Sequence, residues 1–385
     1  MSYSKEDFYI KLILLIIIIN LFFFRKKLLY PKRIEILKKG KSYINKCLRN
    51  FLIRKFLNNP ESLKFPKIST IIPLFNCQKT IIPTIRSIQN QNISEFEIIL
   101  VNDNSTDNTS SIIHDLQSQD SRIVIINNKK NMGTLYSRCV GVLNSKGKYI
   151  FPLDNDDMFF NEDTFDFIYK IGVSGKYDIV EFKTISIENY SENVRNIIDH
   201  PLSFHENNLI LHQPELGLFP IFNHSSCGHF DINIWGKSIK SEIYKKSVND
   251  FGPKRYYNFV SWAEDTIMSF ILLNTAQSFI FTHKYGIIHV NSPSTSTYTQ
   301  TENLKIFGEI FLMDIIFDFS KGNISKNCVI DLIINKAYFK MAKNEKDILY
   351  IKSIFQKIIE CDYITKNNKE RLMKSFPTYF NKEIK

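Results

Sequence analysis

No C-x-x-C pair occurs among the six cysteines (Cys47, Cys77, Cys139, Cys227, Cys328, Cys361), so the spacing points to neither a zinc site nor a disulfide framework. No glycine- and lysine-rich phosphate loop lies near the first apolar strand run, which speaks against a nucleotidyltransferase, and no internal repeat is visible. The largest imbalance of charge is in one place. Between Arg25 and Lys55 twelve Lys/Arg face Glu35 alone, and this segment accounts for the whole formal charge of +11. The remaining chain is close to neutral, which argues against nucleic acid as a partner. What is present is a chain of 385 residues that is 44% hydrophobic, enough for a large core and for one or two domains.

Phe8 to Phe24 reads FYIKLILLIIIINLFFF. At about 1.5 Å per residue it would reach roughly 26 Å as a helix, near the lower limit for crossing a bilayer. No small-residue cleavage site follows, so the expectation is an uncleaved anchor over 1–30, then a basic juxtamembrane stalk over 31–66 lying on a membrane surface. The basic run on the C-terminal side of the apolar core would keep the rest of the chain cytosolic, with a lumenal Golgi or endoplasmic reticulum placement as the alternative. The sequons at Asn104 and Asn108 favour the cytosolic side, because a glycan there would crowd a polar cluster that follows a strand.

From Ile68 the pattern becomes strand, helix, strand. Ile68–Pro73, Glu97–Val101, Arg122–Ile126 and Tyr149–Leu153 read as strands, and Lys79–Asn90 carries apolar residues at helical spacing. This alternation predicts an α/β fold, a mostly parallel sheet with helices on both faces, whose ligands bind at the carboxyl ends of the strands. Two polar clusters fall at such ends: Asn102–Asp107 and the carboxylates Asp154, Asp156 and Asp157. Clustered carboxylates at a strand end suit a hard divalent cation such as magnesium or manganese, while a solvated acidic turn is the alternative. The stretch 186–230 is polar and holds five of the eight histidines, and either lines an acceptor site or forms a long surface loop. Beyond Thr301 the chain reads as helical.

Several motifs in one order resemble the family 2 glycosyltransferases over roughly residues 67–296. Ser69–Asn76 is similar to the opening strand with its P-x-Y-N end, Phe75 standing where tyrosine is usual. Glu97–Thr109 is similar to E-I-I-V-V-D-D-G-S-T-D-N-T, with Asn102 and Asn104 replacing an aspartate and the glycine. Asn131-Met132-Gly133, Arg138-Cys139-Val140-Gly141, Asp154-Asn155-Asp156-Asp157, Trp235-Gly236-Lys237 and Glu264-Asp265 continue the series.

The resemblance implies a GT-A fold over 67–300, a helical extension over 301–385, and transfer of a sugar from a nucleotide-diphosphate donor, a UDP-sugar above all, to a glycan, lipid or protein hydroxyl. It implies Asp156 as the metal ligand, Asp265 as the base, and donor contacts from Pro73, Phe75, Asp103, Arg138, Asp154 and Asn155. Attack opposite the leaving group would invert the anomeric centre. Read from residues alone, Asp103 could equally cap a helix, Arg138 could join a surface ion pair, and Glu264-Asp265 could serve only the dipole of the following helix. His289 is either an additional metal ligand or a satisfied core histidine. An inactive, membrane-tethered binding protein is the rival function, its one motive being the departures at Asn102 and Asn104.

Overall fold

The computed structural model describes residues 66–188, 198–199, 209–212, 233–258, 260, 262–291, 302–319, 334, 345–362 and 364–380. Strands β1 (Ile68–Leu74) and β2 (Phe96–Asn102) are buried along their whole length. Their side chains alternate between two cores. Ile68, Ile72 and Leu74 join Phe96, Ile98 and Leu100 on one face, and Ile71 joins Ile99 and Val101 on the other. A parallel strand covered on both sides must be apolar at every position, which is why these segments read as continuous hydrophobic runs.

Helix α1 (Ile81–Gln89) leads from β1 to β2, and α2 (Thr109–Gln119) from β2 to β3 (Ile123–Asn127). Helix α3 (Thr134–Asn144) then carries the chain back across β1 to β4 (Tyr149–Pro152). A Cβ at Gly141 would come within 2.4 Å of Ile71 Cγ2, so the absence of a side chain there is what lets α3 settle onto β1. The chain continues through β5 (Met158–Phe159), α4 (Thr164–Gly175), β6 (Ile179–Glu188), β7 (Ile198–Asp199), β8 (Leu209–His212) and β9 (Lys237–Lys240). Helices α5 (Ser241–Phe251), α6 (Pro253–Tyr256) and α7 (Glu264–Thr275) follow, then β10 (Ser278–Asn291). The last helices are α8 (Glu302–Phe319), α9 (Glu345–Glu360), α10 (Lys366–Ser375) and α11 (Pro377–Phe380).

Among the described residues ten strands form one sheet, ordered β3-β2-β1-β4-β9-β6-β10-β5, with β7 on β6 and β8 on β10. The pairings β1 with β2, β2 with β3, β1 with β4 and β6 with β10 are parallel. Those of β9 with both β4 and β6 are antiparallel, as are β10 with β5 and β8, and β6 with β7. The sheet is therefore mixed, not mostly parallel. The four-residue β9 enters between β4 and β6 in the opposite direction and splits the sheet into two parallel blocks. Strand order reverses at β1, where β2 lies on one side and β4 on the other, and the crevice beyond the carboxyl ends of β1 and β4 is the place such sheets offer a ligand.

The expectation of a single-pass membrane anchor is corrected here. No helix among the described residues is long and apolar enough to cross a membrane. Phe8–Phe24 and the basic stalk lie outside those residues, as does most of the histidine-bearing stretch. The anchor, and the membrane localisation and topology built on it, are not carried further.

One buried ion pair closes the β2–β3 edge. Asp120 and Arg122 are 1% and 3% exposed; Arg122 donates to Asp120 from Nε and Nη2 at 3.0 and 2.9 Å, and Gln89 Nε2 donates at 2.9 Å. The guanidinium lies 3.9 Å from the Phe96 ring centroid. Burial opposes the Asp120 charge, but the hydrogen bonds and charge of Arg122 outweigh it and hold the carboxyl below its ordinary pKa. Asp120→Asn is expected to cost about 3–5 kcal/mol at neutral pH, because it strands a buried guanidinium. The stabilisation of a depressed carboxyl is present above its unfolded pKa and lost as pH falls through the folded one. Urea unfolding of both proteins checks this: the gap between them should be full at neutral pH and shrink in acid.

Candidate active site

The end of β4 delivers the first part of the site. Leu153 N donates to Ile71 O at 3.0 Å, continuing the pairing with β1, and the chain then turns through Asp154-Asn155-Asp156-Asp157. Asn155 anchors this turn: its Nδ2 donates to Pro73 O at 3.2 Å, its Oδ1 accepts from Thr80 Oγ1 at 3.3 Å, and its carbonyl accepts from Thr84 Oγ1 at 3.0 Å. Asn155 and Pro73 are thus tied to each other, and both serve the turn. Phe75, just past β1, is 46% exposed and open to a ligand.

Arg138 is the centre of the charge arrangement. Its side chain is only 2% exposed, and it donates to Asp154 Oδ1 from Nη2 at 2.9 Å and to Asp265 Oδ1 from Nη1 at 2.5 Å. The two carboxylates, 30% and 20% exposed, stand on its solvent side. Arg138 is no surface ion-pair member: it is a buried cation that brings the end of β4 and the start of α7 together. Beside Asp265, desolvation and then the Asp265 charge push the Glu264 carboxyl up to about 8.

Desolvation, then the charges of Asp157 and Asp154, push the Asp156 carboxyl up to about 7. A group in such a cluster gains when a cation joins it. Asp157 is fully buried; its Oδ1 meets His289 Nδ1 at 2.9 Å and accepts from Val290 N at 3.1 Å, whereas its Oδ2 has no hydrogen-bond partner. His289 is stacked on Trp235 at 4.5 Å with the rings 8° from parallel. Burial opposes the charge of this imidazole, but the Asp157 hydrogen bond and the charges of Asp157, Asp154 and Asp156 outweigh it and push its pKa up to about 9. Among the described residues no three His, Cys, Asp or Glu side chains form a group able to cage a metal. A magnesium-like ion that shares a substrate diphosphate asks for less, one or two carboxylates, and Asp156 beside the unpartnered Asp157 oxygen fits that demand.

Asp103 occupies the end of β2. Its Oδ1 accepts from Asn128 Nδ2 at 2.7 Å and Met132 N at 2.8 Å, and its Oδ2 accepts from Gly133 N at 2.8 Å. It therefore holds the Asn131-Met132-Gly133 loop against β2 and caps no helix. The two departures in this motif have local reasons. Asn102 Nδ2 donates to Asn127 Oδ1 at 3.1 Å, which a carboxylate could not do, while its Oδ1 accepts from Ser105 N. Asn104 has φ of 58°, a left-handed conformation that asparagine tolerates better than other side chains where glycine is absent.

Glu264, Trp235, Asp157 and His289 are each visible in the sequence, but the pairing of Asp157 with His289 and the stacking of His289 on Trp235 are not. The Trp235 motif was visible, but nothing in the sequence links it to a histidine in β10.

A mixed α/β sheet with carboxylates beyond β4 and at the head of α7 defines the GT-A class of fold. Solved structures agree: Staphylococcus aureus TarS (residues 1–349) in complex with UDP aligns with a TM-score of 0.56 at 17% identity, covering 81% of this chain and 88% of that one. Its complex with UDP-GlcNAc gives the same TM-score at 15% identity. Residues 69–219 match the family model described as glycosyl transferase family 2. Curated relatives include GalNAc(5)-diNAcBac-PP-undecaprenol beta-1,3-glucosyltransferase of Campylobacter jejuni, 39% identical over 93 residues, which are 24% of this chain and 30% of that protein. UDP-Glc:alpha-D-GlcNAc-diphosphoundecaprenol beta-1,3-glucosyltransferase WfaP of Escherichia coli is 40% identical over 90 residues, 23% of this chain and 35% of that one. The chain thus spans about a third of the length of these two relatives.

The geometry makes Arg138 a structural test case. Arg138→Met removes the one cation between Asp154 and Asp265, and the expected loss is about 3 kcal/mol of folding stability. Urea denaturation measures it, and Asp265→Asn in the same background should recover part of the loss by removing one unpaired charge.

Proposed function

We propose that this chain is an inverting glycosyltransferase that moves a sugar from a UDP-linked donor to a glycan hydroxyl. The observation that carries the reading is the convergence of Asp154, Asp156 and Asp265 on one crevice, organised by the buried Arg138. The fold neighbours hold UDP and UDP-GlcNAc, and the curated relatives are named for transfer of glucose to lipid-linked glycans. We assign catalysis to residues 67–300, and the helices from 301 onward to the same working unit. The rival reading, an inactive binding protein, loses its motive once Asn102 and Asn104 have conformational reasons of their own.

In this mechanism Phe75 and the loop held by Asp103 border the nucleotide, while Asp154, Asn155 and Pro73 shape the floor below the donor sugar. Asp156 would hold a divalent cation, manganese or magnesium, which when bound would offset charge on the departing diphosphate. Asp265 is the base. Arg138 takes its Oδ1, leaving Oδ2 for the acceptor hydroxyl. As the acceptor oxygen bonds to the anomeric carbon, the bond to the diphosphate oxygen breaks and the hydroxyl proton passes to Asp265. Arg138 aims Asp265, so the base needs no reorganisation during the step.

Two substitutions separate binding from chemistry. Asp156→Ala is expected to abolish the manganese-dependent part of UDP binding in calorimetric titrations, and unchanged affinity with manganese present would rule out the assigned cation site. Asp265→Asn should bind UDP as the wild type does and lose turnover by about 10²-fold or more. Near-normal turnover in that variant would remove Asp265 from its role, and a product with retained anomeric configuration by NMR would exclude inversion.

A further inference from the structure

Asp265 sits in the first turn of α7, so its aim depends on how that helix starts. The start is unusual. Ala263, immediately before α7, has φ of 63°, a left-handed conformation that costs a residue with a Cβ about 1 kcal/mol or more and persists only where surroundings impose it. Its carbonyl nevertheless accepts from Ile267 N at 3.0 Å, the first backbone bond of the helix.

The imposing surroundings come from α8. Gly308 is buried, and a Cβ built there would lie 2.3 Å from the Trp262 carbonyl oxygen and 3.0 Å from its carbonyl carbon. Helix α8 therefore rests directly on the peptide that enters the strained residue. The next residue and one a turn earlier hold the same tryptophan: Trp262 Nε1 donates to Glu309 Oε1 at 3.3 Å, and Lys305 Nζ lies 4.8 Å from the Trp262 ring centroid. The far end of α8 holds the other end of the connection into α7. Arg255 in α6 donates to Asp318 at 2.8 Å, and Lys357 of α9 pairs with both Asp318 and Asp314 while Tyr350 donates to Asp314 at 2.7 Å. The segment from α6 to α7 is thus fixed to one helix at both of its ends.

We infer that α8 is a bracket for the base, in which Gly308 and Trp262 are positioning residues that set where Asp265 stands. This rests on the reading of Asp265 as the group that deprotonates the acceptor. It makes the C-terminal helices part of the reaction apparatus, although none of their residues faces the carboxylate crevice through any contact described above.

The test is Gly308→Ala in the full chain, read in three ways. UDP affinity with manganese should stay within about twofold of wild type, since β1, β2 and β4 are untouched, while kcat falls by about 10²-fold, the scale of a misplacement near 1 Å. Hydrogen–deuterium exchange should rise in peptides covering 262–268 and stay unchanged over 96–102. A folded Gly308→Ala protein with wild-type kcat and wild-type exchange over 262–268 would overturn the inference. So would parallel loss of UDP binding and of protection over 96–102, which would mark Gly308 as a general packing position. If the alanine variant does not fold, Trp262→Phe keeps an aromatic ring but removes the donor to Glu309. There a kcat reduced about tenfold with unchanged UDP affinity supports the bracket, and wild-type kcat overturns it. A wild-type chain that transfers sugar from no UDP-linked donor would sink the proposed function instead, and the exchange measurements would still decide the bracket.

Discussion

A single guanidinium holds the site together. Arg138 is buried with about two carboxylates' worth of opposite charge in front of it, and each partner belongs to a different part of the chain: Asp154 lies 16 residues away and Asp265 lies 127. A buried cation without partners is costly, so the fold that buries Arg138 also requires the end of β4 and the start of α7 to meet there. The demand runs outward from that point. Helix α3 must press close enough on β1 to aim the arginine, which is why Gly141 has no room for a side chain. Helix α7 must begin at a fixed place, which brings in Ala263, Trp262 and α8.

The second constraint is the strand-end turn. Three aspartates in four residues repel one another, and the chain answers with local neutralisation: Arg138 for Asp154, and His289 for Asp157. Burial still pushes all three carboxyls toward the neutral form, and at Asp156 the charges of Asp157 and Asp154 add to it. An approaching cation would relieve this repulsion further. Asp103 shows the opposite economy, its charge wholly engaged by the loop it holds.

The sequence carried the parallel half of the sheet plainly, because β1, β2 and β4 are buried on both faces and leave unbroken apolar runs that end in polar clusters. Asp154, Asp156 and Asp265 stand in motifs of fixed order, and the structure brings Asp154 and Asp265 together on Arg138. The antiparallel insertion of β9 was not legible, since a strand of four residues, KSIK, has no pattern of its own and is defined by its neighbours on either side. The pairing of Asp157 with His289 spans 132 residues and leaves no local trace. The apolar N-terminal run lies outside the described residues, among which no helix is long and apolar enough to cross a membrane. Asn102 and Asn104 looked like losses only while the motif was read as letters; one is a donor and the other a backbone conformer.

The long separation between Arg138 and Asp265 has a consequence for how the molecule is made. During synthesis the strands β1 to β4 leave the ribosome together with a guanidinium destined for burial, yet one of its two counter-charges is still more than a hundred residues from being translated. Domains fold as cooperative units, and contacts between distant parts of the chain are made late because loop closure precedes their reward. The first half of this sheet therefore leaves the ribosome before α7, which packs against α3, has been made. The contact of Arg138 with Asp265 can form only after residue 265 has been synthesised.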